Sequence, residues 1–185
     1  MNVEYKQIED LYFQKNYAKA FELANKLASD GNAKSIRLLG WMHYKGQGCE
    51  RDDEKALTLF SEAAEKGDAE ALYGTASIYY ERKEYKKAFR YLEESMEKGY
   101  LPAIRWTGAM YYLGLGVEKD LHKAYEILDT ASKAGSLSAY SQQSLMLLHG
   151  FKGIPGRIKS IPMLIKCFFC TFKEAMRDEH SQRLM

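Results

Sequence analysis

Cysteine and proline are both scarce, with three of each among 185 residues. Cys49, Cys167 and Cys170 are odd in number and follow no period, which excludes a disulfide framework and points to a reducing, cytoplasmic setting. With prolines so few, charged residues at 28% and hydrophobic ones at 46% exclude collagen-like and disordered classes. An excess of one charge sign is lacking too. The formal net charge of +2 makes no global case for nucleic acid, and none is expected as a partner. Long apolar runs are absent: the longest, Ile161 to Phe172, is broken by Lys166 and falls short of the roughly 20 residues that span a bilayer. The first ten residues carry Glu4, Glu9 and Asp10 where a secretory leader needs a basic patch and an apolar run, so no leader is expected.

What the chain does have is a repeat. Gly31, Gly67, Gly99 and Gly135 stand 36, 32 and 36 residues apart, each closing a helical stretch such as Ala63-Ala64-Glu65-Lys66. A residue just past a helix often takes positive φ, which costs glycine nothing, so these glycines read as helix stops. Upstream, Tyr12, Tyr44, Tyr80, Tyr112 and Leu148 share one register, and Ala20, Ala56, Ala88 and Ala124 share another. Two helices per unit follow. The tyrosine-to-alanine gap is 12 residues in two units and 8 in the others, which confines the difference to the loop. The long loops, Gly46 to Asp52 and Gly114 to Asp120, end in an aspartate where the second helix needs an N-cap. Small residues at Gly40, Ala76, Gly108 and Ser144 mark close helix approaches, and Leu39, Met42, Phe60, Ile78, Leu92, Met110 and Leu128 supply the bulk between them. No unit can bury its apolar face alone, so the pairs must stack.

The stretch from Ala33 to Gly67, with Leu39-Gly40, Tyr44, Gly46-x-Gly48, Asp52, Lys55-Ala56 and Ala63-Ala64-Glu65-Lys66-Gly67, resembles a Sel-1-like repeat. The unit at 101–136 resembles it nearly as well, over a match covering about 33–148, while the 32-residue units look more like tetratricopeptide repeats. The resemblance implies an all-α fold: a right-handed α/α superhelical solenoid of about five helix-turn-helix repeats over 1–148. It also implies an inner surface, lined by first helices, that binds other proteins, and no common reaction. Cysteine-rich secreted relatives associated with β-lactam binding or hydrolysis make an enzyme the rival reading. Their repeats each carry a cysteine pair, whereas here Val117 stands at the position equivalent to Cys49.

Other motifs have plainer readings. The two Gly-x-Gly loops follow helices rather than strands and lack a third glycine, so they are connectors rather than phosphate cradles. Cys167-x-x-Cys170 has no second ligand pair at metal spacing, and no metal or other cofactor is expected. His43, His122, His149 and His180 are scattered, none with a nucleophile in a recognisable local constellation, so no catalytic residue is assigned. The 24 aromatic residues exceed what the repeat core needs. First-helix positions pointing away from the second helix include Tyr5, Arg37, Trp41, Tyr73, Arg105 and Trp106. They are the candidate partner-binding groove, aromatic and basic, for a protein or peptide segment. Both tryptophans have the alternative of packing between units.

The stretch 149–185 reads as a different object, with seven basic residues against three acids and no acid from His149 to Lys173. On a helix, Ile161, Ile165, Phe168 and Phe172 form one stripe beside Lys159, Lys166 and Lys173, with Phe169 adding to the apolar surface. Two readings stand side by side: a cap covering the last repeat, and an interfacial helix on a partner or on the anionic inner face of a membrane. The expectations for function are a non-enzymatic adaptor first, and a peripheral membrane scaffold as its alternative.

Overall fold

The computed structural model describes residues 3–152, 160–163 and 165, and the described residues contain helices and no strand. Among the described residues, helices run from α1 (Val3–Phe13) and α2 (Tyr17–Ser29) through α3 (Ala33–Lys45), α4 (Asp53–Glu65), α5 (Ala69–Glu81) and α6 (Tyr85–Glu97). They continue as α7 (Leu101–Leu113), α8 (Leu121–Lys133) and α9 (Leu137–Leu148), and helical residues recur at 160–163 and 165. Contacts divide the chain into two compact units, 1–103 and 104–185.

In the first unit the hairpins α1–α2, α3–α4 and α5–α6 pack in series, with α2 on α3, α4 on α5 and α3 against α5. Ala20, Ala56 and Ala88 have no exposed surface at all, as expected of positions where helices touch. Phe60 of α4 is equally sealed, and it is seated between two glycines: a Cβ on Gly40 of α3 would lie 2.7 Å from its ring, and one on Gly74 of α5 would lie 2.6 Å from it. The aromatic ring therefore fills space that both neighbouring first helices leave open. In the second unit the same device recurs more simply, with Leu128 of α8 set against Gly108 of α7. Around it Met110, Ala124, Ala131, Met146 and Leu147 are buried.

The punctuation follows the spacing. Gly31, Gly67, Gly99 and Gly135 all have φ between +78° and +96°, and Asp52 and Asp120 accept hydrogen bonds from the Lys55 and Lys123 amides at 2.9 Å, capping α4 and α8. Where the glycine loop is missing, a lysine takes the left-handed conformation instead, at Lys15 (φ 61°) and Lys83 (φ 60°). Long and short connectors thus alternate along the chain. After three of the four stop glycines the next residue caps the following first helix, through Asn32, Asp68 and Ser136, a set of caps the sequence reading did not single out.

Candidate functional site

The first helices of the first unit frame a groove of about 540 Å³ between α1, α3 and α5, extended by Tyr100. Because side chains four apart on a helix share a face, Arg37, Trp41 and Lys45 of α3 all reach it, as do Tyr73 and Ser77 of α5. Of the residues singled out from sequence, Tyr5, Arg37, Trp41 and Tyr73 line this one groove. Arg105 and Trp106 belong to α7 in the second unit, where the Arg105 guanidinium lies 4.9 Å from the Trp106 ring centroid.

Trp41 is the hub of the aromatic wall. Its ring centroid is 5.2 Å from Phe60, 5.8 Å from Tyr44 and 6.1 Å from Tyr73, and Tyr73 in turn meets Tyr100 at 5.5 Å. Trp41 thus leans on the core through Phe60 and also lines the groove. Its indole Nε1 is buried and has no acceptor among the described residues. At one end Phe13 is 80% exposed, a large apolar side chain in water.

The groove is not basic, which corrects the expectation drawn from Arg37. Arg37 Nε lies 3.2 Å from Asp68 Oδ2, and its Nη1 pairs with Glu70. Asp68 divides its carboxylate: Oδ1 accepts from the Glu70 and Ala71 amides at 3.0 and 3.1 Å to cap α5, while Oδ2 faces Arg37 on α3. The guanidinium is thus a latch between neighbouring repeats, and reversing its charge would disturb packing as well as the groove. Arg37 Nη2 also donates to the Tyr5 hydroxyl at 3.4 Å. Tyr5 itself is only 6% exposed, so it supports the wall more than it offers surface. Two charges along the groove have no ion pair among the described residues, Glu9 and Lys45, and they are opposite in sign.

Tyr44 closes another side. Its hydroxyl is bonded to the Glu81 carboxylate, and Arg51 lies 5.3 Å from its ring while pairing with Asp53 at 2.9 Å and Glu81 at 3.0 Å. Burial, then the Glu81 carboxylate, pushes the Tyr44 hydroxyl far above the usual phenol range; the bond from Tyr44 and the Arg51 charge hold Glu81 below the usual carboxylate range. Tyr44 and Tyr100 were not singled out for the groove from sequence. Tyr44 reads as a core register position, but Tyr100 had a signal: it occupies the place where Asn32, Asp68 and Ser136 serve as caps.

One pairing escaped the sequence reading. Cys49 Sγ lies 3.4 Å from His43 Nδ1, bringing a thiol to a histidine six residues away. Burial raises the thiol and lowers the imidazole, each opposing its charged form, so the pair is a neutral packing contact rather than an activated nucleophile. Cys167, Cys170 and the tail residues Lys159, Lys166, Phe168, Phe169, Phe172 and Lys173 lie outside the described residues. Within the described residues, Ile161 and Ile165 are 56% and 51% exposed, and no helix is long and apolar enough to cross a membrane.

Mouse protein sel-1 homolog 2 is 33% identical over 132 residues, 71% of this chain but 14% of the relative, and the human homolog is 32% identical over the same share. This chain therefore spans about one-seventh of the length of those relatives. Among solved structures, a Sel1 repeat protein from Oxalobacter formigenes superposes with a TM-score of 0.73 at 22% identity, covering 87% of this chain and 68% of that one. A protective antigen present in uropathogenic Escherichia coli strains, displaying an SLR fold, superposes at 0.64 with 29% identity over 71% of this chain and 29% of its own. The model of the Sel1 repeat matches residues 11–32, 33–68, 69–100 and 101–136, the same units that the stop glycines delimit. By those four repeats and by its helical-hairpin fold, the chain belongs to the Sel1 repeat family, a family of repeat scaffolds that generally serve protein–protein interaction.

Proposed function

We propose that the chain is a non-enzymatic interaction scaffold that holds a segment of a partner protein in the groove of its first unit. The observation that carries this reading is the continuous aromatic wall of Trp41, Tyr44, Tyr73 and Tyr100 around an open groove. Aromatic side chains give large contact area at small conformational cost, which is why they dominate binding hot spots. In the second unit, Arg105 and Trp106 are proposed as a contact of their own, the guanidinium lying 4.9 Å from the indole ring centroid. The test is crosslinking and mass spectrometry in the native host, comparing the intact chain with Trp41→Ala. Since a hot-spot truncation costs about 2 kcal/mol or more, crosslinks from the groove to a partner should fall at least about tenfold. Because Trp41 leans on Phe60, thermal melting must accompany the comparison. Partners retained at full yield by the variant would end the groove reading.

A second reading is a peripheral scaffold on an anionic membrane, favoured by the exposure of Ile161 and Ile165, one turn apart on a helix in a stretch poor in acids. Ile161→Ser/Ile165→Ser in the full chain should reduce flotation with phosphatidylserine-containing vesicles at least about fivefold, given some 0.8 kcal/mol per methylene withdrawn from the interface. Equal flotation of both proteins, or none of either, defeats it.

A further inference from the structure

Another groove opens between the second helices of the first unit. α4 and α6 both pack on α5 rather than on each other, and the gap between them, about 870 Å³, is lined below by Leu72 and Thr75 of α5, which are buried. Among the described residues, four glutamates line it and no lysine or arginine does: Glu54, Glu62 and Glu65 from α4, and Glu94 from α6. Arg82 answers Glu54 at 2.8 Å, whereas the other three carboxylates are exposed and have no ion pair among the described residues. The nearest cations are held elsewhere. Arg90, one turn before Glu94, lies 5.1 Å from the Tyr91 ring, and Lys87 lies 5.0 Å from the Tyr79 ring while pairing with Glu84 at 2.6 Å. Lys66, next to Glu65, turns its Nζ toward Gly31, 3.7 Å from where a Cβ there would stand.

A second observation concerns where these acids sit. Glu62 and Glu65 fall in the last turn of α4, and Glu94 in the last turn of α6. Helix-end carbonyls already concentrate negative potential there, so a carboxylate is placed against the dipole. We infer that this groove docks a lysine- and arginine-rich segment of a partner protein, at a site separate from the one lined by Trp41. A cationic side chain entering it meets carboxylates and helix-end carbonyls together, and relieves a repulsion that the free chain carries. From Glu54 to Glu65 is roughly 16 Å of helix, the reach of about five extended residues. The same field repels anionic partners, nucleic acid included.

The experiment is a fluorescence anisotropy titration of the full chain with a labelled arginine-rich pentapeptide and with its glutamate counterpart. Glu62→Gln/Glu65→Gln/Glu94→Gln should weaken binding of the arginine peptide by about tenfold or more, for three charge pairs lost, and raising salt from about 50 to about 500 mM should weaken it about fivefold or more. The triple variant should melt no lower than the intact chain, since it removes acids from unfavourable helix ends. Glu50→Gln/Glu118→Gln/Glu126→Gln makes the same change in net charge at exposed positions outside the groove, and should leave affinity within about twofold. Trp41→Ala should do the same, because that side chain lines the other groove. Failure of the intact chain to bind the arginine peptide, equal affinity for the glutamate peptide, or an equal loss in the control variant overturns this inference and leaves the role proposed for the Trp41 groove standing. A tenfold loss on Trp41→Ala would put the peptide in that other groove, which overturns it as well.

Discussion

Phe60→Ala should cost about 3–5 kcal/mol of unfolding free energy, the range for removing a fully buried phenylalanine from a close-packed interior. The expectation is at the top of what single substitutions do because the ring is shared: it fills the gap left by Gly40 on one neighbour and Gly74 on the other, so three helices lose contacts at once. The reverse change is informative too. Gly74→Ala would gain about 1 kcal/mol of helix propensity, yet its methyl would fall 2.6 Å from the Phe60 ring, an overpacking that costs about 1–3 kcal/mol. In a Phe60→Leu background that clash should ease, giving a coupling of about 1 kcal/mol or more in a double-mutant cycle read by urea unfolding. A Gly74→Ala penalty unchanged by Phe60→Leu would show that the ring is not what limits this position.

Gly48→Ala should be nearly as damaging, at about 2–5 kcal/mol, and for two separable reasons. At φ +78° any Cβ is strained by about 1–2 kcal/mol. In addition the methyl would lie 2.5 Å from the Tyr17 carbonyl oxygen and 2.8 Å from its carbon, which are backbone atoms of α2 with no freedom to turn aside. Gly67 provides the control, since its φ is +88° but nothing lies within 4 Å of its missing Cβ. Gly67→Ala should therefore show the conformational strain alone. The difference between the two melting temperatures measures how closely the α3–α4 loop is seated on α2, and equal losses would mean that the close approach contributes nothing.

The hairpins, their boundaries and their stop signals were legible because each repeats at fixed spacing, and repetition turns weak local preferences into a pattern. Gly40 was visible for that reason. Gly74 was not, because the register pairs Gly40 with Ala76, and Gly74 answers to Phe60 of the preceding hairpin rather than to its own partner helix. A comparison of equivalent positions is blind to contacts between non-equivalent ones. The groove shows the same division. Periodicity placed Tyr5, Arg37, Trp41 and Tyr73 on first-helix faces, and those four residues line it. The electrostatics did not follow, since Arg37 carries a formal charge whatever it touches, and the carboxylates that neutralise it come from Asp68 at the far end of its own repeat and Glu70 at the start of the next. The thiol–imidazole contact of Cys49 and His43 depends on a loop that folds back, which spacing alone does not reveal.

Glycine loops at Gly46–Gly48 and Gly114–Gly116, set against left-handed lysines at Lys15 and Lys83, mean that the array advances in couplets. Its true step is 68 residues, from Gly31 to Gly99 and from Gly67 to Gly135, rather than one hairpin. Splicing in a single hairpin of 32 or 36 residues would set two like connectors side by side, whereas a 68-residue insert would return every hairpin to its accustomed neighbours.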